Sequence, residues 1–387
     1  MRVLKVVDAL RFGGAESLIV QLARVADHAD LEVSVLALQG DRPEHLDMVP
    51  SLQDAGVEPH VLGVRRTLDA PAFLRLVKFI KDTKPDVVHA HLEMAMTLAL
   101  PAAALAGVPA VATFHNMQAP LSGRAGRREQ LALEVATRSQ ATIFVSQSSL
   151  DSFAARYRSG KPVPPSWKVV HNGADLDVFT PADSNGAPAM LPPDLGIDGS
   201  RVVTVPAGLR EYKGLHHTIE AWPGVVAKIP DAKLLLVGSG PEEQNLRARV
   251  NELGLTESVV FAGLRNDIPE IMRASDVVLL ASIYGENLPT VVIEAGGCAR
   301  PVVASDVGGV SDIVVDGETG LLVPPADPAA ITRALLTVLD DPDLGARLGR
   351  AGRERVERLF DARGWARSLR SVYEQAIADK RPSDRSA

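Results

Sequence analysis

Short, nearly continuous apolar runs alternate with helix-period segments along this chain, and the alternation occurs twice. In the first half the apolar runs are 3–7, 33–38, 57–62, 86–90, 110–114, 142–145 and 168–170. In the second they are 202–205, 233–237, 259–261, 277–280, 301–304 and 320–323. The segments between them have helical spacing, clearest where Phe73, Leu76, Val77 and Ile80 share one face. Strands without polar alternation are buried on both faces, so the pattern predicts parallel sheets covered by helices on both sides.

Residues 179–200 are rich in Pro, Gly, Asp and Ser and read as the connection between the two series. The expected organisation is therefore a first domain over 1–178, a linker over 179–200 and a second domain over 201–361. A helix over 362–378 and a disordered tail over 379–387 follow. Two doubly wound domains leave a cleft between the carboxyl ends of their strands, where open parallel sheets bind ligands.

Composition narrows the function. A net charge of −7 disfavours nucleic acid, and the single cysteine, Cys298, excludes both an intramolecular disulfide and a cysteine metal site. The start of the chain, interrupted by Lys5 and Asp8, does not read as a signal peptide. Residues 94–114 carry no charge and are long enough to span a bilayer, but Pro101, Gly107 and Pro109 break them up. They read better as a helix ending at Gly107 and a strand from Ala110. The expectation is a cytoplasmic protein. Arg124, Arg127 and Arg128 open a basic region over 121–170. It reads first as a solvated face and second as a peripheral contact with the inner face of a membrane or with an anionic acceptor.

Six stretches carry candidate chemistry. In "YGENLPTVVIE", 284–294, a strand runs into a loop and then a helix that has Pro289 in its first turn. The N–H groups near Leu288 and Thr290 suit a phosphate. A carboxylate repels a phosphate but accepts well from sugar hydroxyls, so Glu286 and Glu294 suit one sugar ring on either side of a diphosphate. In "VPAGLREYKG", 205–214, Arg210 and Lys213 occupy a turn after a strand and can neutralise a leaving diphosphate without metal. Gly238 and Gly240 in "VGSGPE" permit close backbone approach, a weak signal alone. "SDVGGVSD", 305–312, offers two more glycines. Gly13 and Gly14 precede a helix expected from Ala15, and His115 follows a strand, so all three fall at the ligand edge of the first sheet. His89 and His91 have no evident third ligand and make a poor metal pair.

Taken together, "GGAES", "KPDVVHAHLE", "TFHN", "VVHNGADLDVF", "REYKG", "VGSGPEEQNLRARVNELGL" and "YGENLPTVVIEAGGCARP" resemble, in that order and over nearly the whole chain, the family 4 retaining glycosyltransferases (glycosyl transferases group 1) of the GT-B fold. The resemblance implies two Rossmann-like domains facing across a cleft, with the C-terminal helix crossing back to the first. It implies that Glu286 holds the transferred sugar, Glu294 the ribose, and Arg210 and Lys213 the diphosphate, with the stretch Asn287, Leu288, Pro289 and Thr290. His115 would contact the transferred sugar, and Gly13 and Gly14 would lie near phosphate and acceptor. The donor would be a UDP- or GDP-linked sugar and the acceptor a glycan, lipid-linked or small-molecule hydroxyl, in cell-surface polysaccharide or glycoconjugate biosynthesis. No cofactor or metal is expected. Loop residues 117–128 would select the acceptor. Two departures stand out. Asn287 replaces a common glycine, and "EAGGCARP" replaces Glu-Ala-Met-Ala-Cys-Gly-x-Pro, so extra glycine should loosen that helix end.

The rival readings are a nucleotide-sugar epimerase of the same fold, a catalytically inactive relative, and a solute-binding protein. The first needs acid and base groups that the sequence does not place. The last has no use for a cationic pair beside a helix start.

Overall fold

The computed structural model describes residues 1–11, 13–64, 69–115, 123–158, 160–182 and 189–380. The chain forms two compact units, Met1–Asn172 with Ala362–Ala387, and Gly173–Asp361. The break at 172/173 precedes the connection read from composition. Ala174 donates to the Phe360 carbonyl at 2.8 Å, which ties it to the second unit.

In the first unit the strands are β1 (Arg2–Val7), β2 (Glu32–Ala37), β3 (His60–Val61), β4 (Val87–His91), β5 (Ala110–Phe114), β6 (Ala141–Phe144) and β7 (Trp167–Val169). They are parallel, in the order β3-β2-β1-β4-β5-β6-β7. In the second they are β8 (Val202–Pro206), β9 (Lys233–Val237), β10 (Val259–Gly263), β11 (Val277–Leu280), β12 (Val302–Ser305) and β13 (Leu321–Val323), in the order β10-β9-β8-β11-β12-β13. Both orders reverse once, between β1 and β4 and between β8 and β11. At such a switch point the strand-end loops diverge and open a crevice.

Side-chain alternation sends Val88 and Ala90 of β4 into one core with Leu76 and Ile80, while Val87 joins Val3 and Val111 on the other face. That second face is covered by the helices Gly14–Val25 and Ala362–Lys380, through Leu18, Leu22, Leu369 and Tyr373. The C-terminal helix thus belongs to the first unit. In the second unit Val203, Leu234 and Leu279 pack with Ile219, Trp222 and Ile331.

The chargeless stretch forms the helix Glu93–Ala106, closed by Gly107 at φ 77°, and then the fully buried β5. Among the described residues no helix is long and apolar enough to cross a membrane. The tail expected over 379–387 continues the helix to Lys380, and from 381 it lies outside the described residues, as do 117–122 of the expected acceptor loop. Its remainder is not a loop, because Gly123–Thr137 is helical.

Candidate active site

The second unit assembles most of its predicted residues at one switch point. The loop after β8 carries Arg210 and Lys213, and the loop after β11 carries Glu286. A backbone bond from Ile283 N–H to the Tyr212 carbonyl, 2.8 Å, ties the two loops together. Gly214 makes the approach possible. It has φ 66°, and a Cβ there would lie 2.0 Å from the Ala281 carbonyl oxygen. Lys213 Nζ then reaches Glu286 Oε1 at 2.5 Å. The Ser282 hydroxyl donates to the same oxygen at 2.5 Å. Glu286 is 6% exposed, so two donors satisfy a nearly buried carboxylate. Arg210 sits just before the turn Glu211–Lys213 with its side chain exposed and joins no ion pair among the described residues.

The helix Thr290–Gly297 starts beside Glu286. Pro289 is not in its first turn but caps it. At ψ 112° the residue stays extended, and its carbonyl accepts from Val292 N–H at 3.1 Å. The N–H groups at Thr290 and Val291 have no acceptor within the helix, so this end is a ready anion site. Asn287 and Leu288 are buried just ahead of it. Glu294 stands one turn further, half-buried and bonded to Thr290. Burial pushes its carboxyl up to about 7. Gly309 of the "SDVGGVSD" loop donates to the Glu286 carbonyl at 3.2 Å, which brings that loop alongside.

Gly238 and Gly240 have a packing reason of their own. A Cβ on Gly238 would lie 2.1 Å from the Ala207 carbonyl oxygen, and one on Gly240 2.4 Å from that of Leu209. They seat the β9 loop against the β8 loop that leads to Arg210. Gly296 and Gly297, the last two residues of their helix, have a packing reason as well. Both are buried, and a Cβ on Gly296 would lie 2.7 Å from Val356 Cγ2, so the glycine allows the helix Pro342–Leu359 to pack closely.

In the first unit, Gly13 is extended and caps the helix, which starts at Gly14, one residue earlier than expected. A pocket of about 170 Å³ lies at the carboxyl ends of β1, β4 and β5. Asp8, Glu93, His115 and Glu129 line it over an apolar floor of Met96, Phe114 and Phe153. Asp8 accepts from Ala95 N–H at 2.7 Å and Met94 N–H at 3.3 Å. Burial nevertheless raises its carboxyl to about 7. Behind His115 runs a polar chain that the sequence reading missed. His115 Nε2 meets His91 Nδ1 at 2.8 Å, and the His91 ring stacks on His89 at 4.1 Å. His89 Nε2 meets Thr113 Oγ1 at 2.6 Å, and its Nδ1 meets the Tyr373 hydroxyl at 2.7 Å and Lys5 Nζ at 2.8 Å. Burial lowers the pKa of Lys5, His89 and His91 well below their ordinary values, and that of His115 to about 3. Among the described residues no group of three or more His, Cys, Asp or Glu could hold a metal ion.

Comparison with known proteins places the chain. Residues 12–178 match the model of Glycosyltransferase Family 4, and 191–355 that of Glycosyl transferases group 1. The phosphatidyl-myo-inositol mannosyltransferase of Mycobacterium leprae (strain TN) is 31% identical over 94% of this chain and 93% of its own length. The alpha-maltose-1-phosphate synthase of Mycolicibacterium smegmatis is 32% identical over 76% of this chain and 79% of its own. Among solved structures, Anabaena HepE in complex with UDP superposes with a TM-score of 0.83 at 24% identity, over 97% of this chain and all of that one. The chain belongs to the family 4 glycosyltransferases of the GT-B fold. Its activity is glycosyl transfer.

Proposed function

We propose that the chain is a retaining, metal-independent hexosyltransferase that takes its sugar from a nucleotide diphosphate, UDP- or GDP-linked, and delivers it to a glycan, lipid-linked or small-molecule hydroxyl. The observation that carries this reading is the Lys213–Glu286 pair at the switch point, set against the open start of the helix Thr290–Gly297. A diphosphate at that start competes with Glu286 for Lys213 Nζ, and Glu286 then turns to the hydroxyls of the sugar. Arg210 is exposed nearby and adds a second cation. Glu294 accepts from the ribose. His115, Gly13 and Gly14 serve the sugar and acceptor side.

The bond from the anomeric carbon to the diphosphate oxygen breaks, and its electron pair stays with the phosphate. Lys213, Arg210 and the amides at the helix start stabilise that charge. The acceptor hydroxyl bonds to the same face of the sugar and gives its proton to the departing phosphate oxygen. Neither glutamate is required as a covalent nucleophile, unlike the carboxylate pair of glycosidases. The names of the two mycobacterial relatives, a mannosyltransferase and a maltose-1-phosphate synthase, are consistent with a hexose donor. The complexes of HepE with UDP and with UDP-glucose favour a nucleotide-linked one.

Lys213→Ala and Glu286→Ala test the site. Each is expected to reduce turnover by at least about 10²-fold, the loss typical of removing one transition-state contact, with the circular dichroism spectrum unchanged. Full turnover in both variants contradicts the assignment.

A further inference from the structure

Two donors hold Glu286, and both fall on the same oxygen. Lys213 Nζ and the Ser282 hydroxyl each reach Oε1 at 2.5 Å. Oε2 has no hydrogen-bond partner among the described residues, nor is it among the fully buried atoms left unpaired. It is therefore the oxygen that a ligand hydroxyl can meet. The direction of the Ser282 bond is fixed by chemistry. A carboxylate paired with a cation only accepts, so the serine must donate. The distance fits a charge-assisted bond from a hydroxyl to a carboxylate.

The two donors respond differently to a ligand. The Lys213 side chain is partly exposed on the loop after β8, so a diphosphate can draw it away from Glu286. Ser282 is fully buried, two residues past the end of β11. Its neighbours are tied down on both sides. The Ala281 carbonyl packs against Gly214, and Ile283 N–H bonds to the Tyr212 carbonyl. The serine therefore stays where it is when Lys213 moves. Without its hydroxyl, a nearly buried carboxylate would lose its last donor each time Lys213 left. Stripping the partner from a buried charge is costly, so the lysine would stay with Glu286 instead.

We propose that Ser282 is a positioning residue that frees Lys213 for the diphosphate. Its hydroxyl stays on Glu286 Oε1 as the lysine leaves, and the carboxylate pivots on that bond to turn Oε2 to the transferred sugar. Ser282 itself touches neither phosphate nor sugar. It acts through Glu286 alone. The inference rests on the functional reading given above, in which Lys213 meets the diphosphate.

The test is a double-mutant cycle on nucleoside diphosphate binding. Isothermal titration calorimetry with UDP, GDP, ADP and TDP is run on the full-length wild type, Ser282→Ala, Glu286→Gln and the double variant. With Glu286 present, Ser282→Ala should weaken the nucleotide that binds by roughly 10- to 100-fold, the effect of one hydrogen bond to a charged group. A neutral amide forms no ion pair with Lys213, so in the Glu286→Gln background the same change should cost about 2-fold at most, the spread of uncoupled sites. Ser282→Cys, close in size but a weak donor, should fall between wild type and Ser282→Ala, and it carries the comparison should the alanine variant fail to fold. Equal losses in both backgrounds would mean that the serine only packs the loop and would overturn the inference. Full affinity in Ser282→Ala would overturn it too. A wild type that binds none of the four nucleotides overturns the functional reading, and this inference with it.

Discussion

Gly214→Ala should do more damage than its one methyl group suggests. At φ 66° an alanine adopts a left-handed conformation, at a cost of about 1–2 kcal/mol. Its Cβ would also lie 2.0 Å from the Ala281 carbonyl oxygen, so the two loops must part by about an ångström. That separation breaks the Ile283–Tyr212 backbone bond, worth about 0.5–1.5 kcal/mol. The total is roughly 1.5–3.5 kcal/mol. Lys213 also moves away from Glu286, and a displacement of about 1 Å at a reacting centre can lower turnover about 10²-fold. Gly317→Ala is the control. It lies in the same unit at φ 73° with open space around it, so it should cost only the conformational part, about 1–2 kcal/mol, and leave turnover unchanged. Urea unfolding and initial rates on both variants decide the matter. Equal losses of stability, or full turnover in Gly214→Ala, would refute the claim that close loop approach builds the site.

Ala299 has φ 53° where the family pattern has glycine, so Ala299→Gly should raise stability by about 1 kcal/mol, read as a higher urea midpoint. Glu294 has a carboxyl pKa raised from 4.5 to about 7, so the folded state holds an extra proton between those values and loses stability as pH rises through that window. Glu294→Gln cannot titrate, so its urea midpoint should improve relative to wild type from pH 5 to pH 8. A constant difference over that range would show that Glu294 titrates normally.

Much of this architecture is legible because parallel strands buried on both faces leave a simple trace. Val277–Leu280, Lys233–Val237 and Ala110–Phe114 begin and end where the apolar runs do. The run 57–62 yields only the two-residue strand His60–Val61, because it lies at the sheet edge, exposed, with only β2 to pair with. Lys213 and Glu286 could be placed at one ligand-binding sheet edge because each follows a strand end, although their pairing with each other could not be read. Ser282 could not, since a buried serine has no pattern of its own. The His115 chain was hidden for a different reason. Lys5 and Tyr373 are 368 residues apart in sequence and meet only when the C-terminal helix is laid on the sheet. Polar residues in otherwise apolar strand runs, such as Lys5 and His89, were the available signal.

The most direct measurement is the thermal shift of the purified protein with UDP, GDP, ADP and TDP, with and without magnesium, for wild type and Lys213→Ala. A ligand that binds only the folded state raises the melting temperature according to its affinity and concentration. The account predicts a clear rise with one nucleoside diphosphate, the same with and without magnesium, and absent in Lys213→Ala. No rise with any of the four, or the same rise in the variant, would contradict a donor site built around Lys213 and Glu286.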